Sequence, residues 1–209
     1  MKKLKINFNI ISSLFWLIFL VPFTFKVSYA SDQVNGSQLK VEKFFKSLRS
    51  MEADFIQVSP SGKISNGKIY LDLPGKLRID YKKPNNLLIT CKGFWLTIQN
   101  RILKTTNNIP LESSPFSILI KKKLNFDNEF LGTDLKNKSG IISFKITSKT
   151  NKKAEALTLE FSEKPFNLKK WIINDIFGEK TTVFIQNAKY NNRLSHLLFF
   201  PDDFPDQIN

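Results

Sequence analysis

The sequence offers very few side chains that could carry out covalent chemistry. Its only histidine is His196 and its only cysteine is Cys91. A Ser-His-Asp site would need a nucleophile on a strained turn, and no Gly-X-Ser-X-Gly motif is present. A thiol–imidazole pair of Cys91 and His196 is conceivable, but a buried strand cysteine and a surface histidine explain both residues more simply. No HExxH or CxxC motif indicates a metal site, so we expect neither an enzyme nor a cofactor.

The remaining chemical signal is an apolar surface in the stretch Gly67–Pro84, GKIYLDLPGKLRIDYKKP. This stretch predicts two strands joined at Pro74-Gly75, with proline first in the turn and glycine at positive φ. In the second strand Leu77, Ile79 and Tyr81 alternate with charged residues. Successive side chains of a strand point to opposite faces, so one face of this strand is apolar and the other is charged.

Alternation of this kind recurs along the chain and predicts about ten strands. They are Met51–Gln57, Lys68–Leu73, Leu77–Tyr81, Leu87–Lys92, Phe94–Gln99, Arg101–Thr106, Ile142–Thr147, Leu157–Phe161, Leu168–Asp175, Lys180–Asn187 and a last short strand in Leu194–Phe200. Many antiparallel strands form a sandwich or a barrel. The side chains expected to face inward are large: Leu77, Tyr81, Trp95, Phe144, Phe161 and Trp171. A packed barrel would bury them as core, whereas an incomplete barrel covered by helices would leave a cavity.

Two segments predict helices that could cover such a cavity. A polar, flexible stretch Ser31–Gly36 leads into Ser37–Ser50, whose apolar face consists of Leu39, Val41, Phe44, Phe45 and Leu48. This first helix fits a plug of the core as well as it fits a lid. In the second segment, Leu111–Ile120, we expect Ser114 to be the N-cap and Pro115 the first helical residue. Its shared apolar face consists of Phe116, Leu119 and Ile120.

The N-terminus has the features of a secretory signal peptide. A basic start, Met1–Lys5, precedes the apolar run Ile10–Phe25, and small residues precede a cut after Ala30. The apolar run is short for a bilayer span, which needs about 20 residues. Because Cys91 is the only cysteine, neither a lipid-attachment cysteine nor a disulfide is available. We therefore expect an exported, periplasmic protein with one domain over residues 31–209.

The formal net charge of +14 could indicate a nucleic-acid partner. Bidentate recognition of phosphates and bases depends on arginine, however, and an exported protein does not meet nucleic acid. Only four basic residues are arginines, namely Arg49, Arg78, Arg101 and Arg193. The one tight basic run, Lys121–Lys123, is expected to be a solvated edge or to attract anionic lipid headgroups.

Several short stretches of the chain, in order, resemble the outer-membrane lipoprotein carrier family, LolA. They are Ala53–Gln57, Gly67–Leu71, Pro74–Tyr81 with Pro84, Ser114–Phe116, Leu168–Trp171 with Asp175 and Gly178, and Thr181–Val183. Each stretch alone is a plausible strand with its turn. Their order and spacing, together with the signal peptide, make the resemblance specific.

The resemblance implies a mainly β protein, an incomplete antiparallel barrel of ten to eleven strands with a helical lid over an apolar cavity. It implies a monomeric periplasmic carrier that takes the acyl chains of lipoproteins from an inner-membrane ABC transporter towards the outer membrane and a receptor there. In this chain the cavity residues would be Leu77, Ile79, Tyr81, Trp95, Trp171 and Ile173. The lid residues would be Phe44, Leu48, Phe116, Leu119 and Ile120.

The chain departs from the family pattern at three positions. Leu73 stands where family members often carry arginine, Ile79 where tryptophan is frequent, and Lys92 where an Asp-Gly hairpin is usual. These differences concern the cargo and the partners more than the fold. Two other functions fit the same residues: a carrier or sensor of another amphiphile such as a free lipid, and a purely structural exported β-domain.

Overall fold

The computed structural model describes residues 30–114, 116–120, 130–148, 156–175 and 177–204. Within these residues, eleven antiparallel strands form one sheet, and two α-helices accompany it. The strands are β1 (Ser50–Val58), β2 (Ile64–Asp72), β3 (Lys76–Tyr81), β4 (Leu87–Lys92), β5 (Trp95–Asn100), β6 (Thr105–Pro110), β7 (Phe130–Lys138), β8 (Ile141–Ser148), β9 (Ala156–Ser162), β10 (Asn167–Asn174) and β11 (Lys180–Tyr190). The helices are α1 (Ala30–Ser47) and α2 (Phe116–Ile120), with short 3₁₀ helices at Leu111–Ser113 and His196–Phe199. None of the helices described is long and apolar enough to span a membrane.

The strand order shows that the sheet consists of two meanders joined in the middle. The order is β6-β5-β4-β3-β2-β1-β11-β10-β9-β8-β7, so β1 pairs with β11 and all other neighbours are consecutive in the chain. The edge strands β6 and β7 do not pair with each other within the described residues. The prediction of a mainly β protein built on an unclosed antiparallel sheet is therefore confirmed.

The sheet curls around one apolar core. Alternate side chains along the strands are fully buried, including Leu77 in β3, Phe144 in β8 and Phe161 in β9. Leu96 in β5 and Phe144 in β8 belong to the same buried cluster, although a flat sheet would hold these strands about 38 Å apart. The two α-helices described, of 18 and 5 residues, cannot cover the inner face of a flat eleven-stranded sheet, so the burial requires curvature.

Helix α1 covers one side of this core through an aromatic cluster. The Phe44 ring makes edge contacts with Phe161 and Tyr190, with ring centroids 5.2 and 5.5 Å apart. Val41, one turn earlier, is fully buried. The helix begins at Ala30, so the prediction of a flexible segment over residues 31–36 is wrong. No proline interrupts this segment, and a helix propagates readily once packing has stabilised its later turns.

Three other parts of the chain differ from the predicted secondary structure. Local hydrogen bonds, or a polar composition typical of an edge strand, made them difficult to predict from alternation. Of the strand expected at Arg101–Thr106, only its last two residues lie in a strand, β6. Residues 101–104 form a turn instead, in which Asn100 Oδ1 accepts from the backbone N–H groups of Ile102 and Leu103 at 3.0 and 3.1 Å. The edge strands β6 and β7 are rich in polar residues and carry little alternation. The expected strand in Leu194–Phe200 is a 3₁₀ helix at His196–Phe199.

The C-terminal segment, residues 195–202, lies across the outer face of β3, β4 and β5. Arg78 in β3 donates through Nη1 to the backbone oxygen of Leu198 at 3.1 Å. Gln99 in β5 exchanges two hydrogen bonds with the backbone of Asp202, at 2.8 and 2.7 Å. Within this segment, the side chain of Phe199 is buried. The segment therefore holds β3, whose inner face carries Ile79 and Tyr81, in a fixed position.

A charge network anchors this arrangement. Asp80 in β3 accepts from Arg78 Nη2 at 2.7 Å and also from Arg101, which in turn donates to Asp202. Burial of Asp80 opposes its ionisation, but the hydrogen bonds from Arg101 and Arg78 outweigh that effect, so the pKa of Asp80 lies below its usual value. A lowered pKa in the folded state means that ionised Asp80 stabilises the fold above the unfolded-state pKa of about 3.9 and that this contribution disappears in acid.

We expect Asp80→Asn to lower the free energy of unfolding by about 1–2 kcal/mol at pH 7, because its charge-assisted hydrogen bonds with Arg78 and Arg101 are weakened. Denaturant titrations at pH 7, 5 and 3 should show the difference from wild type shrinking towards acid, because the lowered pKa of folded Asp80 means that wild-type unfolding then takes up a proton. Asp72→Asn is the control, since Lys76, at 2.7 Å, is the one ion-pair partner of Asp72 among the described residues. Equal losses in the two variants, or a difference independent of pH, would contradict the role assigned to the network.

Candidate functional site

A small apolar pocket lies inside the curled sheet beneath α2. Its walls come from strands β1, β2, β3, β10 and β11 and from the first residue of α2. The lining residues are Phe55, Gln57, Ile69, Ile79, Tyr81, Phe116, Trp171, Ile173 and Val183. Its free volume is about 20 Å³, which accommodates about one water molecule. The pocket is therefore nearly filled by its own side chains in this conformation.

Strand register brings these side chains together from distant parts of the chain. One row across the sheet joins Phe55 in β1, Gly67 in β2 and Tyr81 in β3. The next row on the inner face joins Gln57 in β1 to Val183 in β11 and Trp171 in β10. Because paired residues point to the same face of a sheet, both rows face the pocket.

Gly67 leaves room in the first row for two aromatic rings. The rings of Phe55 and Tyr81 meet edge to face on either side of it, with centroids 5.1 Å apart. A Cβ atom at Gly67 would collide with the backbone oxygen of Asp80 and approach Phe55 Cε1 to 2.8 Å. The lack of a side chain at Gly67 thus allows the rings of Phe55 and Tyr81 to meet in the pocket lining.

The pocket is apolar except for a few hydrogen-bonding groups. Tyr81 Oη donates to Gln57 Oε1 at 2.8 Å. Burial raises the pKa of Tyr81 to about 12, although the hydrogen bond to Gln57 acts in the opposite direction. The phenol therefore remains a neutral donor at physiological pH. No lining residue carries a formal charge at that pH, so the site suits a neutral, largely apolar ligand.

Helix α2 covers the pocket and is held at each end by a hydrogen bond. The Phe116 N–H donates to Ser114 Oγ at 3.2 Å, which is the capping interaction expected of that serine. At the other end the Ile120 oxygen accepts from the N–H of Gly75 at 2.8 Å. Leu119 and Ile120 are buried, and Phe116 projects into the pocket wall. The arrangement is consistent with a helical lid; Pro115 and Lys121–Lys123 lie outside the described residues.

The structure brings together five of the predicted site residues and separates the others. Ile79, Tyr81, Trp171, Ile173 and Phe116 line the same pocket. The remaining predicted residues that are buried or partly buried, but do not line it, are Leu77, Leu119, Ile120, Phe44 and Leu48. Phe44 in α1 and Leu48, the residue after α1, pack against the core away from this pocket, with Phe44 held by its aromatic neighbours.

Trp95 lies on the opposite face from the one predicted, with 56% of its surface exposed. Leu96 and Ile98 pair with Cys91 and Ile89, and all four belong to the core or pack against it. Since neighbours in a strand point in opposite directions, Trp95 must face outward. Both faces of this strand carry apolar residues, so the local pattern could not distinguish them.

Four lining residues were not predicted as site residues: Phe55, Gln57, Ile69 and Val183. The alternation in β1, β2 and β11 already placed Phe55, Ile69 and Val183 on apolar faces. Gln57 had no such signal, because a polar residue at the end of a strand is usually assigned to solvent. Its inward position follows from pairing with Val183.

Cys91 and His196 are placed apart by the sheet. Cys91 is buried on the inner face, where burial raises the pKa of its thiol to about 11 and disfavours the reactive thiolate. His196 is exposed in the C-terminal segment, which lies on the outer face, and its ring contacts Phe200. The structure therefore contradicts a catalytic pair formed by the thiol of Cys91 and the imidazole of His196.

The fold and site place the chain among β proteins with an unclosed antiparallel sheet and an apolar pocket under a short helix, an arrangement suited to apolar ligands. The model of the family described as outer membrane lipoprotein carrier protein LolA matches residues 46–202. The chain therefore belongs to the LolA family, which is a family of carriers.

Individual relatives are distant. An outer-membrane lipoprotein carrier protein of Methylococcus capsulatus is 26% identical over 180 residues, covering 82% of this chain and 86% of the relative. An uncharacterised protein of Rickettsia prowazekii is 25% identical over 144 residues, covering 66% of this chain and 67% of the relative. The solved structure of a LolA superfamily protein from Nitrosomonas europaea is 10% identical, with a TM-score of 0.45, and covers 80% of this chain and 97% of that one.

Proposed function

We propose that the protein is an exported carrier that binds the acyl chains of lipoproteins released from the inner membrane and takes them towards the outer membrane. The observation that carries this proposal is the neutral, apolar pocket inside the curled sheet, with Phe116 from its covering helix in the lining. Membership of the LolA family and the distant relative named as a lipoprotein carrier support it.

The energetics of acyl transfer fit a pocket that fills itself when empty. Each buried CH₂ contributes about 0.8 kcal/mol, so a 16-carbon chain gains on the order of 12 kcal/mol when it leaves water. A carrier must nearly match this gain to extract the chain, yet must not exceed it, or release would fail. Phe116 occupies the pocket in the closed conformation and must move before an acyl chain enters. The energy of its contacts offsets part of the gain from cargo.

The same proposal includes the route and the partners. The chain loses residues 1–30 on export by cleavage after Ala30, and residues 31–209 act as one monomeric periplasmic domain. Cargo arrives from an inner-membrane ABC transporter and leaves to a receptor in the outer membrane. The Lys121–Lys123 run adjoins α2 in the sequence, where it would meet anionic headgroups or a partner during exchange.

The direct test is to express the full-length chain in a bacterial periplasm and purify the protein for native mass spectrometry and lipid extraction. We expect a one-to-one complex with a protein that carries a triacylated N-terminal cysteine. Recovery of free phospholipid alone would favour a carrier or sensor of another amphiphile. A protein that stays empty when offered a synthetic triacylated lipopeptide would contradict carriage and leave a structural β-domain as the better description.

A further inference from the structure

The pocket wall contains a buried hydrogen-bond donor. Trp171 is 1% exposed and lines the pocket. Its indole Nε1–H is buried and finds no hydrogen-bond partner among the described residues. A buried donor without an acceptor costs free energy, and native proteins rarely retain one without a reason. Phenylalanine would fill a similar apolar position without this cost.

The neighbours of Trp171 in the sheet cannot supply an acceptor from their side chains. Trp171 pairs with Val183 on one side and with Leu159 on the other, and both are aliphatic. The nearest polar side chain in the same row belongs to Gln57, beyond Val183. Adjacent strands are about 4.8 Å apart, so the Cα atoms of Gln57 and Trp171 lie about 10 Å apart with both side chains facing the pocket.

Gln57 adds a second donor of the same kind. Its Oε1 atom already accepts from Tyr81 Oη at 2.8 Å, which leaves the two N–H bonds of Nε2 as its donating groups. The pocket therefore offers neutral N–H donors in an apolar wall, with neither a cationic nor an anionic side chain among its lining residues. A ligand with a free carboxylate would be favoured by a cationic side chain, which this lining lacks. An ester carbonyl is neutral and accepts hydrogen bonds from N–H donors such as these.

We propose that Trp171 recognises the ester carbonyl that joins an acyl chain to its glyceryl group, with Gln57 as the second donor. This inference rests on the proposed function, since it concerns the linkage of the acyl cargo. It makes the pocket selective for ester-linked acyl chains over hydrocarbon chains of the same length. In the empty protein a single water molecule would fit the free volume and meet the same donors.

The test compares two neutral lipids that differ only in the carbonyl, dipalmitoylglycerol and its ether analogue dihexadecylglycerol. Each displaces a fluorescent acyl probe from the protein purified after export to the periplasm. Wild type should bind the ester about tenfold more tightly, which corresponds to one hydrogen bond of about 1.4 kcal/mol. Trp171→Phe should reduce the ester-to-ether ratio to about one, mainly by weakening ester binding. Trp95→Phe is the matched control on the outer face and should keep the wild-type ratio.

A second measurement does not depend on the Trp171 variant folding. Of the three tryptophans of the chain, Trp16 lies in the segment removed on export, so a Trp95→Phe variant assigns the two remaining indole N–H resonances by elimination. The Trp171 resonance should move downfield with the ester and not with the ether. Equal affinity for the two lipids, or an unchanged ratio in Trp171→Phe, would overturn the inference alone. Binding of neither lipid would overturn the proposed function and this inference with it.

Discussion

Gly67→Ala is expected to lower the free energy of unfolding by about 3 kcal/mol, the upper end for adding a methyl group to a filled core. The new Cβ would meet the backbone oxygen of Asp80, which cannot move without breaking the pairing of β2 with β3. It would also displace the Phe55 ring, which already contacts Tyr81. Thermal unfolding should therefore occur about 6–12 °C lower than in wild type, as measured by circular dichroism.

Gly36→Ala is the matched control for this substitution. Gly36 lies in α1, and a Cβ placed there would have no atom within 4 Å. Alanine is favoured over glycine inside a helix by about 0.8–1.0 kcal/mol, so the control should be neutral or slightly stabilising. If Gly67→Ala unfolded at the wild-type temperature, the close approach of β3 to Gly67 would not be a feature of the folded protein.

Phe116→Glu is expected to accelerate the release of acyl cargo by about 10- to 100-fold. Burial of a phenylalanine side chain contributes about 1.5–3 kcal/mol, and each 1.4 kcal/mol is a factor of ten. In the loaded protein a carboxylate in place of this ring would have to stay in water, because an unpaired charge is costly to bury in an apolar pocket. The covering helix would then fail to shield the acyl chains. The open state through which cargo leaves gains nothing from the ring, so the loss of cover appears in the dissociation rate.

The measurement is stopped-flow release of a fluorescent palmitoylated lipopeptide from the loaded carrier to an excess of phosphatidylcholine vesicles. Phe94→Glu is the control, because it makes the same change of charge at a ring that is 85% exposed. It should release cargo at the wild-type rate. Equal acceleration in both variants would indicate a general effect of charge, and a wild-type rate in Phe116→Glu would show that this helix is not the lid.

Much of the fold was predictable because strand alternation is a local property. Leu77, Ile79 and Tyr81 had to share a face whatever their partners, and all three are buried. The Pro74-Gly75 turn was also predictable, since Gly75 adopts the positive φ of +80° that this turn requires of its glycine. The short helix after Ser114 followed from its cap and from the spacing of its apolar residues.

The composition of the site was less predictable, because alternation defines two faces without indicating which one turns inward. Trp95 and Trp171 both lie in alternating strands, yet one is exposed and the other lines the pocket. The difference arises from pairing: Leu96 opposes buried Cys91, whereas Trp171 opposes Val183 on the inner face. The pairing register with neighbouring strands therefore determines which face of each strand turns inward.

By itself the sequence determined the family, the main strands and the apolar character of one face, because these depend on residue type and on short-range spacing. The tertiary structure alone decided that Gln57 and Trp171 share a pocket and that the C-terminal segment covers the outer face of β3. Both results depend on contacts between residues more than a hundred positions apart, and chiefly on the pairing of β1 with β11. Such contacts follow from how the whole sheet curls to bury its core, and no local pattern specifies them.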